Sequence, residues 1–218
     1  AQLSHAGSAA LSKTTGQPPL DPVQSITQAA GRTACGDDLQ QIHQVTEWFA
    51  QAALRANRQA LTEWRSTPLN GYLLNQFFSP LANQRTDAYG PQSVENRIRF
   101  HREVIRAVRQ AVGEDFPIAL RLGAVTMRPE GVPWRTVWSL RLLEHSGVDL
   151  LHLTGGMNGF IRPGHGEPGY FQDLSVPVKQ AVHLPVLLTG GVTTPAQAEA
   201  LLEEGCADLI GVGRAIFK

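Results

Sequence analysis

The chain has 218 residues, 42% of them hydrophobic, and 19 Lys and Arg balance 19 Asp and Glu. That suffices for one sizeable core, while the balanced charge supplies no field that favours nucleic acid or an anionic membrane surface. No apolar run approaches the roughly 18 residues of a membrane span, and the opening AQLSHAG lacks a basic segment followed by a hydrophobic one, so a soluble, cytoplasmic protein is expected.

Residues 8–36 are rich in Ser, Thr, Gly, Pro and Gln without periodicity and read as one long loop, a class that is either functional or disordered. Residues 37–56 then set Ile42, Val45, Phe49, Ala52 and Ala53 on one stripe behind an Asp cap, which predicts a helix. Asn57 to Leu69 follows neither helix nor strand logic, and from Gly71 the stretch GYLLNQFFSP reads as a loop of aromatics and amides closed by a Pro. Residues 93–113 form a second amphipathic helix through Ile98, Val104, Ile105 and Val108.

From there short apolar runs alternate with amphipathic segments. The spacing predicts strands over 116–122, 148–156, 184–191 and 207–213, and helices over 139–147, 176–183 and 194–205. Thr194 is placed to cap the last helix, with Pro195 in its first position and Gly205 at its end. Strict alternation argues for parallel βα units within a single domain, residues 1–218. Cys35 and Cys206 are far apart, with no CxxC spacing and no His at a ligand interval, so two unpaired thiols and no metal site are expected.

The clearest chemical signal is LLTGGVTTP followed about twenty residues later by IGVGRAIF. Each puts glycines just after a parallel strand, where backbone N–H groups and a following helix N-terminus can hold a phosphate with no side chain in the way. In βα barrels phosphate sites form from the loops after the last two strands, and Arg214 can add a charge-assisted bond. The plainer alternative is ordinary turn glycines beside a solvated Arg. Arg121, inside the apolar IALRLGA, either reaches a barrel rim or meets an anionic or electron-rich ligand, because a buried unpaired Arg is expensive. His5 and His152 on strand-like segments are either satisfied core residues or ligands, and Tyr72 is either a core aromatic or a proton donor.

Taken together, QLSHAG (2–7), NGYLLNQFFSPLANQRTDAYG (70–90), SVENRIRF (93–100) and LLTGGVTTPAQAEALLEEGCADLIGVGRAI (187–216) resemble the old yellow enzyme family of FMN-dependent oxidoreductases, also called NADH:flavin oxidoreductases. The resemblance implies an eight-stranded TIM barrel with FMN at the C-terminal ends of its strands. Gln2 then bonds to the flavin ring, Arg121 lies beside its N1–C2 edge, and Gly190, Gly191, Gly213 and Arg214 hold the phosphate. Tyr72 matches the family's proton donor. Asn70 matches the second member of the His-x-x-His or His-x-x-Asn pair that grips the substrate oxygen, and Thr67 stands where the first member belongs. The implied reaction passes a hydride from NAD(P)H through flavin N5 to the β-carbon of an alkene activated by a carbonyl or nitro group. A small-molecule substrate follows, with room for a homo-oligomer.

Two windows depart from the family's letters while keeping its length. If Leu61 to Pro68 are encoded TTG ACG GAG TGG AGA TCC ACT CCG after a codon ending in T, reading one base earlier yields F-D-G-V-E-I-H-S, with the missing His restored. Within residues 125–139, ACT ATG for Thr126 and Met127 after a G reads Asp-Tyr one base earlier, and Pro133 to Trp138 can yield L-E-D-G-L-E. Both shift in the same direction, which suggests two compensated frameshifts that resequencing of the coding DNA would test. The first window, with charged residues and Pro68, is expected to form a poor fourth strand. A complete barrel needs about 250 residues or more, so the resemblance casts the chain as a truncated barrel lacking the first two strands and the last helix. The alternatives are a non-catalytic fragment of such an enzyme, or another phosphate-binding barrel of the lyase or isomerase type.

Overall fold

The computed structural model describes residues 2–7, 20–21, 26–27, 32–33, 35–36, 39–58, 64–66, 73–80, 82–123, 134–154 and 164–216. The chain divides into two compact units, Ala1–Ile118 and Ala119–Lys218.

In the first unit, strand β1 (Gln2–Leu3) pairs in parallel with β6 (Trp64–Ser66). Between them lie four two-residue strands, β2 (Leu20–Asp21), β3 (Ile26–Thr27), β4 (Arg32–Thr33) and β5 (Cys35–Gly36). β2 pairs with β5 in parallel and β3 with β4 antiparallel. The segment expected as one long loop thus carries two small ladders, which pair backbone groups that a long connection would otherwise leave to solvent.

Helix α1 (Leu39–Arg58) buries Ile42, Val45, Phe49, Ala53 and Ala56 along one stripe, and Arg55 and Arg58 favour its C-terminal dipole. After the β6 strand the chain forms α2 (Leu73–Phe78), where a loop was expected; its Leu73, Leu74 and Phe77 are buried, and that burial stabilises so short a helix. Helix α3 (Val94–Val112) starts where Ser93 accepts the Asn96 N–H and stops at Gly113, whose φ of 86° suits glycine. Beyond its end, Arg109 donates to the carbonyls of Gly113, Glu114 and Phe116. Faces of α1, α2 and α3 share one core, including Ile42, Phe49, Phe77, Phe100, Val104 and Val108. Asn57 Nδ2 donates to Val112 O and ties the far ends of α1 and α3.

The second unit is a run of parallel strands, β7 (Ile118–Gly123), β8 (Leu150–Thr154), β9 (Val186–Thr189) and β10 (Leu209–Gly211). The four pair in sequence order, β7 with β8, β8 with β9 and β9 with β10. Between them run α4 (Trp134–Glu144), α5 (Gln172–Ala181) and α6 (Pro195–Glu203). All four predicted strands and all three helices are present, with two helix starts misplaced. α4 begins five residues before the expected 139 and α5 four before 176. The earlier start puts Pro177 inside α5, costing one backbone bond. Leu120, Leu151, Leu153, Val186 and Leu188 are almost wholly buried and form one face of the sheet. Cys206 is free and buried, as expected of an unpaired thiol. Among the described residues no helix is long and apolar enough to cross a membrane, and no cluster of potential metal ligands occurs.

Candidate functional site

The residues with the most chemical content in the second unit lie where β9 and β10 end. The two strands are in parallel register, Leu188 opposite Ile210 and Thr189 opposite Gly211. Their loops therefore leave the sheet side by side, Gly190–Gly191 from one and Val212–Gly213 from the other. Gly190 has φ 123° and Gly191 φ 72°, conformations an L side chain resists. Gly211 is needed for closeness: a Cβ there would stand 2.4 Å from Thr189 Cγ2. Gly213 borders open space, with nothing within 4 Å of an added Cβ. It is followed by the exposed Arg214 in a single 3-10 turn, Arg214–Ile216, which Ile216 N–H closes onto Gly213 O at 3.0 Å.

The start of α6 is occupied by its own cap. Thr194 Oγ1 accepts from Gln197 N–H, and Gln197 Oε1 accepts from the N–H groups of Thr193 and Thr194. This capping box engages helix N-terminal donors expected to face an anion, and so shifts that role toward the glycine turns.

The segment just before α5 backs the first turn. Gly169 N–H donates to Gly190 O at 2.7 Å. A Cβ on Gly191 would lie 2.3 Å from Glu167 O, and Cβ atoms on either glycine would meet the Tyr170 ring. Just upstream, the exposed His165 pairs with Glu167. The GEPGYF letters between β8 and α5 were the available signal, since glycines flanking a buried aromatic mark a close backbone approach.

On the β7 and β8 strands, Arg121 stands opposite His152, and His152 opposite Leu187. In-register neighbours of a parallel sheet share a face, so the three form a row on the face opposite Leu120, Leu151 and Val186. Arg121 is half-buried and His152 buried. The structure thus sets the predicted Arg121 next to the predicted His152.

In the first unit Gln2 is exposed on β1 and pairs with Arg65. Two residues after β1, His5 Nδ1 accepts the Gly7 N–H at 3.1 Å, which leaves the proton on Nε2 of the neutral ring. Burial pushes the His5 pKa down and favours that neutral form. His5 O accepts from Leu73 N–H, the first residue of α2, and Gly7, at φ 60°, sits against Leu73 and Gln76. The QLSHAG turn is therefore fastened to the helix that follows Tyr72. Asn70, Tyr72 and Thr67 themselves lie outside the described residues. His101, which no sequence argument singled out, is buried on α3; its place three residues after Ile98 on the apolar stripe was the signal.

Residues 1–218 match the profile of the NADH:flavin oxidoreductase / NADH oxidase family. Among curated proteins, the chain is 37% identical over 222 residues to a metal reductase of Desulforamulus reducens, covering 100% of this chain and 33% of that protein. It is 33% identical to an NADH oxidase of Thermoanaerobacter brockii, covering 99% of this chain and 34% of that one. Among solved structures, an old yellow enzyme homologue from Zymomonas mobilis superposes with a TM-score of 0.77 at 25% identity, over 98% of this chain and 62% of that chain. The chain spans about a third of the length of the two curated relatives. The structural neighbours are TIM barrels, and the parallel βα units described above are part of that fold.

Proposed function

Because the chain belongs to the NADH:flavin oxidoreductase / NADH oxidase family, a family of FMN-dependent oxidoreductases that use a nicotinamide hydride donor, we propose that it carries the phosphate-binding and substrate-facing parts of such an enzyme, one that reduces alkenes activated by a carbonyl or nitro group. The observation that carries this reading is the pair of glycine turns leaving neighbouring strands in register, Gly190–Gly191 beside Val212–Gly213.

The residues present fit the phosphate end of FMN. Two left-handed glycines and an unobstructed Gly213 let backbone approach an anion, and the exposed Arg214 supplies a fork of charged donors. FMN, when bound, supplies a ring that accepts and donates hydride. Arg121 would stabilise electron-rich atoms of the ring, Gln2 would orient it by hydrogen bonding, and Tyr72 would deliver a proton to the substrate carbon. Asn70 holds the substrate oxygen. With Thr67 in place of the first member of that pair, stabilisation of developing charge on oxygen falls, which lowers the rate on the order of 10²–10³-fold.

The test is FMN titration of the 218-residue chain, followed by quenching of flavin fluorescence, against a Gly213→Asp variant. The open space at Gly213 accepts the side chain without strain. A carboxylate near the phosphate costs about 4 kcal/mol at 4 Å in a partly solvated site, so the variant should bind more than about tenfold more weakly. No saturable binding by the unaltered chain, or equal binding by both proteins, would sink the proposal.

A further inference from the structure

We propose that Tyr170 is a positioning residue for the phosphate-holding turn, holding Gly190 and Gly191 in their left-handed conformations by direct ring contact. The proposal rests on reading that turn as a phosphate cradle and names the group that sets its shape.

Two adjacent glycines can adopt many backbone conformations, so something must select the one observed. The space that their missing Cβ atoms would fill is bounded at both glycines by one ring, joined at Gly191 by the Glu167 carbonyl oxygen, 2.3 Å from an added Cβ. A Cβ on Gly190 would stand 2.8 Å from Tyr170 Cε2 and 2.9 Å from Cζ, and one on Gly191 would stand 2.9 Å from Tyr170 Cδ1. The ring therefore spans both glycines. Its neighbours in sequence close the grip: Gly169 N–H donates to Gly190 O, and Phe171 Cδ2 would lie 3.2 Å from a Gly190 Cβ.

The ring is itself held in place. Tyr170 is buried and meets Phe171 edge to face, with centroids 4.6 Å apart. Gly169, at φ 68°, has the space of its own Cβ filled by the Leu201 side chain of α6. A line of contact thus runs from Leu201 through Gly169 and Tyr170 to the glycine pair. Tyr170 acts through the turn it touches, so removing it would free the glycines to sample other conformations and misalign the turn's N–H groups.

The experiment compares FMN with riboflavin, which lacks the phosphate, in fluorescence titrations of the 218-residue chain and its Tyr170→Phe, Tyr170→Leu and Tyr170→Ala variants, with melting curves to verify folding. Since a charged phosphate contact is being read, the unaltered chain should prefer FMN by about tenfold or more. Tyr170→Phe keeps the ring and should keep that preference. Tyr170→Leu or Tyr170→Ala should lose FMN affinity by about tenfold while riboflavin affinity moves less than about threefold. A merely structural role would weaken both ligands together and overturn the proposal, as would an unchanged preference in the Leu variant, which retains bulk should the Ala variant fail to fold. If the unaltered chain shows no preference for FMN over riboflavin, the phosphate reading falls first and this proposal with it.

Discussion

His101 offers a quantitative check on the core of the first unit. Its ring is 1% exposed, lies edge-on to Phe78 at 5.9 Å, and has no hydrogen-bond partner for either nitrogen among the described residues. Burial lowers its pKa from 6.5 to about 4. The unfolded chain therefore takes up a proton near pH 6.5 that the folded chain refuses until near pH 4, and stability is lost as pH falls through that window. Linkage over this interval costs about 2 kcal/mol between pH 7 and pH 5. Urea unfolding at both pH values, for the unaltered chain and for His101→Phe, isolates the effect, because every other titrating group is common to both proteins. The unaltered chain should lose about 2 kcal/mol more than the variant on acidification. Equal losses, within about 0.5 kcal/mol, would refute the view that this imidazole is buried neutral and unpaired.

Two further outcomes test other joints. Asp208 accepts from Lys179 Nζ and from Val186 N–H; desolvation pushes its pKa up, but these partners outweigh it and hold the carboxyl below its usual range. Asp208→Asn should cost about 1 kcal/mol in urea unfolding at pH 7, and the difference should shrink as pH falls through the carboxyl's lowered pKa; a pH-independent difference would remove the charge from the explanation. At Gly7, φ 60° and a Cβ only 2.8 Å from Leu73 N and Cα make Gly7→Ala costly. The left-handed backbone alone costs about 1–2 kcal/mol, so a melting temperature unchanged by the substitution would mean that the β1 turn is not fastened to α2 as described.

Periodicity made most of the second unit legible. Its strands carry runs such as IALRL and LLHLT, and Thr194, Pro195 and Gln197 mark the start of α6 by local chemistry alone. Legibility failed where long-range contact decides. α2 is one and a half turns of Leu, Asn, Gln and Phe that would not hold alone in water, and burial of Leu73, Leu74 and Phe77 makes it a helix. The glycines of the candidate phosphate site could be read from LLTGG and IGVGR, whereas Tyr170 could not be tied to them. Twenty residues separate that ring from Gly190, and no periodic rule spans such a gap.

The two windows with altered letters separate what builds a fold from what performs chemistry. Residues 61–68 were expected to make a poor strand, yet β6 forms at Trp64–Ser66 and pairs with β1. Ladder hydrogen bonds join backbone groups that every residue but Pro possesses, and Pro68 lies beyond the paired positions. In the second window, α4 forms all the same, beginning at Trp134. Both windows preserve chain length, and so preserve the spacing that places strands and helices. A catalytic role tolerates no such exchange, because a hydroxyl at Thr67 has neither the reach nor the donor geometry of an imidazole. On the substrate-gripping role proposed for Asn70 and the position of Thr67, such a chain would keep its elements and its glycine turns while losing part of its grip on the substrate, so FMN binding should survive in it better than turnover.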